Sequence, residues 1–195
     1  MPPSTFYINY VEFLKGAVWN ELQNFFPKQF TQFLAKHLEL IVSNASIDFK
    51  DDYGFEVWIG SSDENSKTPG YLHIDNDECQ RSRSGILSTP ILGSILYLTP
   101  KEIISGGETI IFENSPSDEN ILFQHHSKAY LTNQKDGYIS EAKAGNLTLF
   151  QGDYPHAVLP YQLNGKNNPR VNVMVNVWAK RIESVPNGFT YLQPN

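Results

Sequence analysis

The chain has 195 residues, 40% of them hydrophobic and 18% charged, with a formal net charge of −6. That length suits one domain with a substantial core better than two, and the acidic balance argues against a nucleic-acid or anionic-membrane surface, since either calls for a basic face. Cys79 is the one cysteine, which excludes an internal disulfide and a cysteine-based zinc cluster. The start, "MPPSTFYINY", has neither a basic nor an apolar leader region, and no apolar run approaches spanning length. The expectation is a soluble cytoplasmic protein with no membrane or nucleic-acid partner.

Residues 1–50 read as a helical support layer. Val11, Leu14, Val18, Leu22 and Phe25 recur at three and four, and Phe30, Phe33, Leu34, Leu38, Ile41 and Val42 form a second series after Pro27. Pro27 suits the first turn of that second helix. His37 falls between the apolar positions, as a helix-surface or boundary residue. From Gly54 onward short β-type runs take over: "FEVWIG", "ILGSILYL", "ETIIF", "LTLFQG", "AVLPYQL" and "RVNVMVNVW". Turn signals at Pro69, Ser105, Lys135 and Asn164 separate them. Helices followed by strands predict an α+β arrangement, or a β-sandwich with helices outside one sheet. Residues 114–138 resist assignment and fit a lid or a substrate-facing insertion.

The last strand carries its own information. Val171, Val173, Val175 and Val177 share one face by alternation, and Arg170, Asn172, Met174, Asn176 and Trp178 share the other. The valine face should lie under the N-terminal helices, and the mixed face is polar enough to line a site.

In "GYLHIDNDE", from Gly70 to Glu78, His73 and Asp75 point the same way, because residues i and i+2 of an extended chain share a face. An imidazole nitrogen and a carboxylate oxygen could then reach one ion. A third ligand must come from elsewhere, and His37, His125, His126 and His156 are the candidates. Two histidines and one carboxylate leave three iron positions open, the arrangement of non-haem Fe(II) oxygenases. A three-ligand zinc hydrolase competes with that reading. It would need a general base, for which Asp153 or Glu108 could be argued.

Five elements in order resemble the 2-oxoglutarate- and Fe(II)-dependent oxygenases, in particular their prolyl-hydroxylase branch. They are "HID", "ILYLTP", "SGGETIIF", "AGNLTLFQGDYPHAVLP" and "PRVNVMVNVW", and they span over half the chain. The resemblance implies a double-stranded β-helix, a cupin-like jelly roll over about residues 54–180, mainly β with the N-terminal helices packed on one sheet. It implies that His73, Asp75 and His156 hold Fe(II), that Arg170 anchors the distal carboxylate of the co-substrate 2-oxoglutarate, and that Tyr97 donates its hydroxyl to the same carboxylate. It also implies O2 as oxidant and ascorbate as a stimulant. A guanidinium fork suits that carboxylate because it stays charged when desolvated. Arg170 lies fourteen residues past His156, the long end of the family's range. Lys166, ten residues past, is the other candidate anchor, although "NGKNNP" reads as a solvated turn. A carboxylate at Asp75, where halogenating relatives carry a small residue, favours hydroxylation or desaturation.

Several neighbours have plainer expectations. Gly106 and Gly107 should form a tight turn. His125 and His126 belong at the surface. Cys79, Arg81 and Arg83 should sit on a loop overhanging the pocket, where either arginine could meet an anionic substrate group. The implied reaction is hydroxylation of an unactivated C–H bond in an amino-acid or peptide side chain or a small metabolite, coupled to decarboxylation of 2-oxoglutarate. The alternative is a metal-binding cupin-like module without catalysis, acting as a sensor or binding protein.

Overall fold

The computed structural model describes residues 5–16, 18–113, 122–165, 168–182 and 190–191. They form a mainly β protein with helices on one side. The largest sheet has the order β13-β1-β2-β12-β4-β9, with β1 at Thr5–Asn9, β2 at Gly54–Ser62, β4 at Leu92–Tyr97, β9 at Leu147–Gln151, β12 at Arg170–Trp178 and β13 at Thr190–Tyr191. β12 lies at its centre, antiparallel to β2 and β4. Val175 pairs there with Val57 and Ser94, so the alternation of β12 is copied across its neighbours.

The valine face is covered by helices, as its pattern predicts. Leu34, Leu38 and Ile41 of α3 (Lys28–Asn44) pack with Val18 and Leu22 of α2 (Val18–Leu22) against Phe6, Ile8, Phe55, Val57, Val173, Val175 and Val177. Spacings of four and three put those α3 residues on one helical face. Removing them from water supplies the main attraction between helices and sheet.

The other face looks onto smaller sheets. β10 (His156–Val158), β6 (Thr109–Phe112) and β8 (Gly137–Ser140) form one of them. β3 (Tyr71–Leu72) pairs with β7 (Gln124–His125), and β5 (Ile104–Gly106) pairs with β11 (Tyr161–Leu163). A single antiparallel bridge, His73 with His156, ties the β3 segment to β10.

The structure departs from the sequence expectations in six places. Thr5–Asn9 is a strand, because Phe6 and Ile8 alternate into the core while β1 pairs along β2. The first helical series is broken into α1 (Tyr10–Lys15) and α2 by Gly16, whose φ of 74° ends α1. Pro27 caps α3 and so stands one residue before it. "AVLPYQL" is two strands, because Pro160 has no N–H to continue the ladder. Cys79, Arg81 and Arg83 lie on a helix, α4 (Glu78–Ser84), and not on a loop; the Asp77 side chain caps it by accepting from Gln80 N at 3.1 Å. His37 is buried in the helical layer, 2% exposed, and is not a boundary residue. Burial pushes its imidazole down to about 4.

Gly106 and Gly107 both have positive φ, 85° and 78°, in the turn between β5 and β6. In the 114–138 segment, residues 114–121 lie outside the described ones. The rest holds β7, the short helix α5 (Lys128–Thr132) and β8. No described helix is long and apolar enough to cross a membrane.

Candidate metal centre

Two backbone segments far apart in sequence build the site. His73 N donates to His156 O at 3.1 Å, and His156 N donates to His73 O at 2.8 Å. Directly paired residues of antiparallel chains project to one face, so the two imidazoles stand together with ring centroids 4.4 Å apart. Asp75 follows two residues after His73 on the same side. Each imidazole is oriented by its backbone: His73 Nδ1 lies 2.9 Å from Tyr71 O, and His156 Nδ1 lies 3.0 Å from Tyr154 O. A carbonyl can only accept, so both Nδ1 atoms carry the proton and both Nε2 lone pairs are free. Burial lowers the His156 imidazole below its ordinary range, and the neighbouring His73 lowers it further, while Asp75 opposes both.

The Nε2 atoms face the carboxylate across gaps too long for hydrogen bonds. His73 Nε2 is 3.6 Å from Asp75 Oδ1, and His156 Nε2 is 3.8 Å from Asp75 Oδ2. An ion about 2.1 Å from each donor would hold such pairs roughly 3–4 Å apart. The donor set therefore fits a divalent cation, and it is the one such trio among the described residues. Asp75 is steadied from the sheet, where Asn176 Nδ2 donates to its Oδ2 at 3.0 Å.

A cavity of about 660 Å³ opens beside this trio. Its floor is the polar face of β12, with Arg170, Asn172, Met174 and Asn176, and Ile95 and Phe150 add apolar wall. Arg170 is the one lysine or arginine among the described lining residues. Its Nη1 donates to Asn172 Oδ1 at 3.1 Å and its Nη2 to Gly107 O at 3.3 Å, while its buried Nε has no acceptor. No carboxylate among the described residues pairs with it. Burial lowers the guanidinium from its ordinary range, and the Tyr97 and Tyr161 phenols oppose that shift. Gly60, across from Asn172, leaves room for this arrangement: a Cβ there would stand 2.7 Å from Asn172 Oδ1.

The other sequence candidates fall as follows. Tyr97 is buried beside the cavity, and its hydroxyl lies 2.8 Å from Thr109 Oγ1 and 3.4 Å from Ser140 O. Lys166 lies outside the described residues. His37 sits behind the sheet. His125 lies tilted against Tyr71, ring centroids 3.9 Å apart, and His126 stacks on Tyr130 at 4.7 Å; neither histidine lines the cavity. Arg81 lies 4.6 Å over the Phe123 ring and pairs with Glu78. Asp153 and Glu108 do not line the cavity.

Sequence reasoning missed Glu56. Its carboxyl is buried, 4% exposed, and lines the cavity. Trp178 Nε1 donates to its Oε2 at 3.0 Å and Asn176 Nδ2 at 3.4 Å. Burial pushes this carboxyl up to about 7. The available signal was an acid at an inward position of an otherwise apolar strand.

No protein-family model matches the chain, and no curated protein matches it. Among solved structures it is similar to a prolyl 4-hydroxylase from Phytophthora capsici, at TM-score 0.41 and 15% identity, covering 88% of this chain and 46% of that one. It is similar to an IDO from Bacillus thuringiensis at TM-score 0.44 and 14% identity, covering 83% and 59%. A prolyl-4-hydroxylase from Pseudomonas putida matches at TM-score 0.36 and 15% identity, covering 91% and 71%. The chain thus spans about half the length of the first two. Solved prolyl 4-hydroxylases are among its structural neighbours. The chemistry rests on the site's own residues.

Proposed function

We propose that this chain is a 2-oxoglutarate- and Fe(II)-dependent dioxygenase on a jelly-roll (double-stranded β-helix) scaffold. It hydroxylates an unactivated C–H bond of an amino-acid or peptide side chain or of a small metabolite. The observation that carries this reading is one cavity holding three N/O donors around a common point and a single guanidinium without a carboxylate partner among the described residues. His73, Asp75 and His156 would hold the iron. Iron bound with 2-oxoglutarate and O2 supplies the oxidising chemistry that couples decarboxylation to C–H hydroxylation.

The chain's own residues perform the rest. The Tyr71 and Tyr154 carbonyls fix both imidazole tautomers, and Asn176 fixes the rotation of Asp75. Arg170 receives the distal carboxylate of 2-oxoglutarate, as the one lysine or arginine among the described residues that line the cavity. Tyr97 supports that end through Thr109, which lines the cavity. Ile95, Phe150 and Met174 keep water from the reacting centre.

Metal-free protein given Fe(II) and 2-oxoglutarate should release succinate, and the same protein given Zn(II) should not. Activity in a zinc-only preparation would replace the oxygenase with a hydrolase. Metal uptake without any succinate, across a broad substrate panel, would leave a metal-binding module.

A further inference from the structure

The cavity is lined by a buried carboxyl, Glu56, that the proposed function does not use. Arg170 and Asn176 stand six residues apart on β12, which is roughly 20 Å along the strand. Glu56 faces Asn176 directly across the β2–β12 pair, so its carboxyl marks the end away from Arg170. Three neutral donors hold it: the Trp178 indole, the Asn176 amide and the Trp58 side chain. Among the described residues no lysine, arginine or histidine pairs with it. Glu78, the other glutamate of the lining, differs in having Arg81 at 3.3 Å.

A buried carboxylate facing a cavity without a counter-charge is costly, because neutral donors replace only part of its lost hydration. The cost is raised by Asp75, since one Asn176 amide touches both carboxylates and their charges repel. A metal at the trio would neutralise Asp75 but would leave Glu56 unpaired. Trp58 stands two residues on from Glu56, lines the same cavity and is 37% exposed, so part of its side chain borders the cavity beside the carboxylate. A carboxylate next to a cavity-lining indole is the chemistry that recognises an organic ammonium, by charge-assisted hydrogen bonding and cation–π attraction.

We infer that Glu56, with Trp58, receives a protonated amine of the primary substrate, whose apolar body lies along Ile95, Phe150 and Met174. This rests on the oxygenase reading only in leaving Arg170 to the co-substrate. The substrate class is therefore an amine with an apolar portion, and not a phosphate or a carboxylic acid without an amine. The raised Glu56 carboxyl, near 7, agrees with a site that a bound cation would stabilise in its charged form.

Calorimetric titration with phenethylammonium, phenethyl alcohol and 3-phenylpropionate tests this, since the three share one apolar body. No iron or 2-oxoglutarate is present, so failure here is separate from failure of the oxygenase reading. The ammonium should bind roughly tenfold or more tighter than the alcohol and the acid, the increment of one charge-assisted contact. Glu56→Gln keeps an acceptor for Trp178 and should bring ammonium and alcohol to within about twofold. Trp58→Leu, at a half-exposed position, should weaken the ammonium severalfold and the alcohol less, and it serves if Glu56→Gln does not fold. The whole preference should persist when Zn(II) saturates the His73, Asp75 and His156 trio. Equal affinities, a preference for the acid, or a preference that survives Glu56→Gln would overturn the assignment. So would a preference that Zn(II) abolishes, because the cation would then belong to Asp75.

Discussion

The two faces of β12 set a helix-packed core beside a cavity-lining surface on one strand. Val173, Val175 and Val177 are fully buried beneath the helices. One residue over on the same strand, Arg170, Asn172, Met174 and Asn176 floor the cavity. Each buried valine contributes roughly 1.5–3 kcal/mol of transfer free energy. The opposite face holds a guanidinium with an unsatisfied Nε and meets a buried carboxyl at Glu56, both of which cost stability. The apolar face makes the polar one tolerable, because the sheet is already held in place before the site adds its strain.

Changes on the two faces should therefore separate cleanly, and the site face should give the largest effects. Asp75→Ala should abolish succinate formation while leaving weak iron binding through the two imidazoles. Metal-free thermal stability should hardly fall, since the change removes a charge that repels Glu56. Hydroxylation at the parent rate would show that the carboxylate ligand lies elsewhere.

The next effect belongs to the far end of the same floor. Arg170→Leu should raise the 2-oxoglutarate KM by about two orders of magnitude with iron still bound, the size of losing one buried charge pair. Arg170→Lys should recover only part of this, because an ammonium is a point contact where the guanidinium is a fork. An unchanged KM, together with a crippling Lys166→Ala, would move the anchor off β12.

Behind the sheet the expected signals are in stability alone. His37 is held neutral, with a folded value near 4 against an ordinary 6.5, so the unfolded chain binds a proton first as pH falls. Its contribution is fully present above about pH 6.5, falls through the window down to about 4, and levels off below. The total is about 3 kcal/mol. Denaturant titrations of the parent and His37→Leu should diverge by that amount across this window, with succinate formation per folded molecule unchanged. Parallel curves would mean that His37 titrates freely.

The smallest effect is expected at Val175→Ala. It should cost about 2 kcal/mol of unfolding free energy and leave both kcat and the 2-oxoglutarate KM as they were. A changed KM would mean that the two faces are coupled through the strand.

Much of this was legible before folding. Residues 170–178 alternate so regularly that the strand, its two faces and its position under the helices follow from spacing. The same holds for "FEVWIG" and "ETIIF", where β-branched and aromatic runs end at turn residues. Thr5–Asn9 was hidden because five residues give too few repeats to separate period two from the helical series that follows. The α4 helix was hidden for a different reason: "ECQRSRS" has no apolar stripe, and what starts it is the Asp77 cap. His37 shows the reverse error, since a histidine between apolar positions can be drawn inside when the sheet beneath supplies enough burial.

By itself the sequence determined the chemical content of the site: His73 and Asp75 on one side of an extended segment, and Arg170 at the head of an alternating strand. These follow from covalent spacing, which no fold can alter. Spacing alone left four histidines open and the resemblance singled out His156; the tertiary structure decided how it arrives, through a backbone bridge to His73. It also decided that Glu56 faces the cavity with no cationic side chain paired to it among the described residues, since pairing across β2 and β12 is a relation between distant segments.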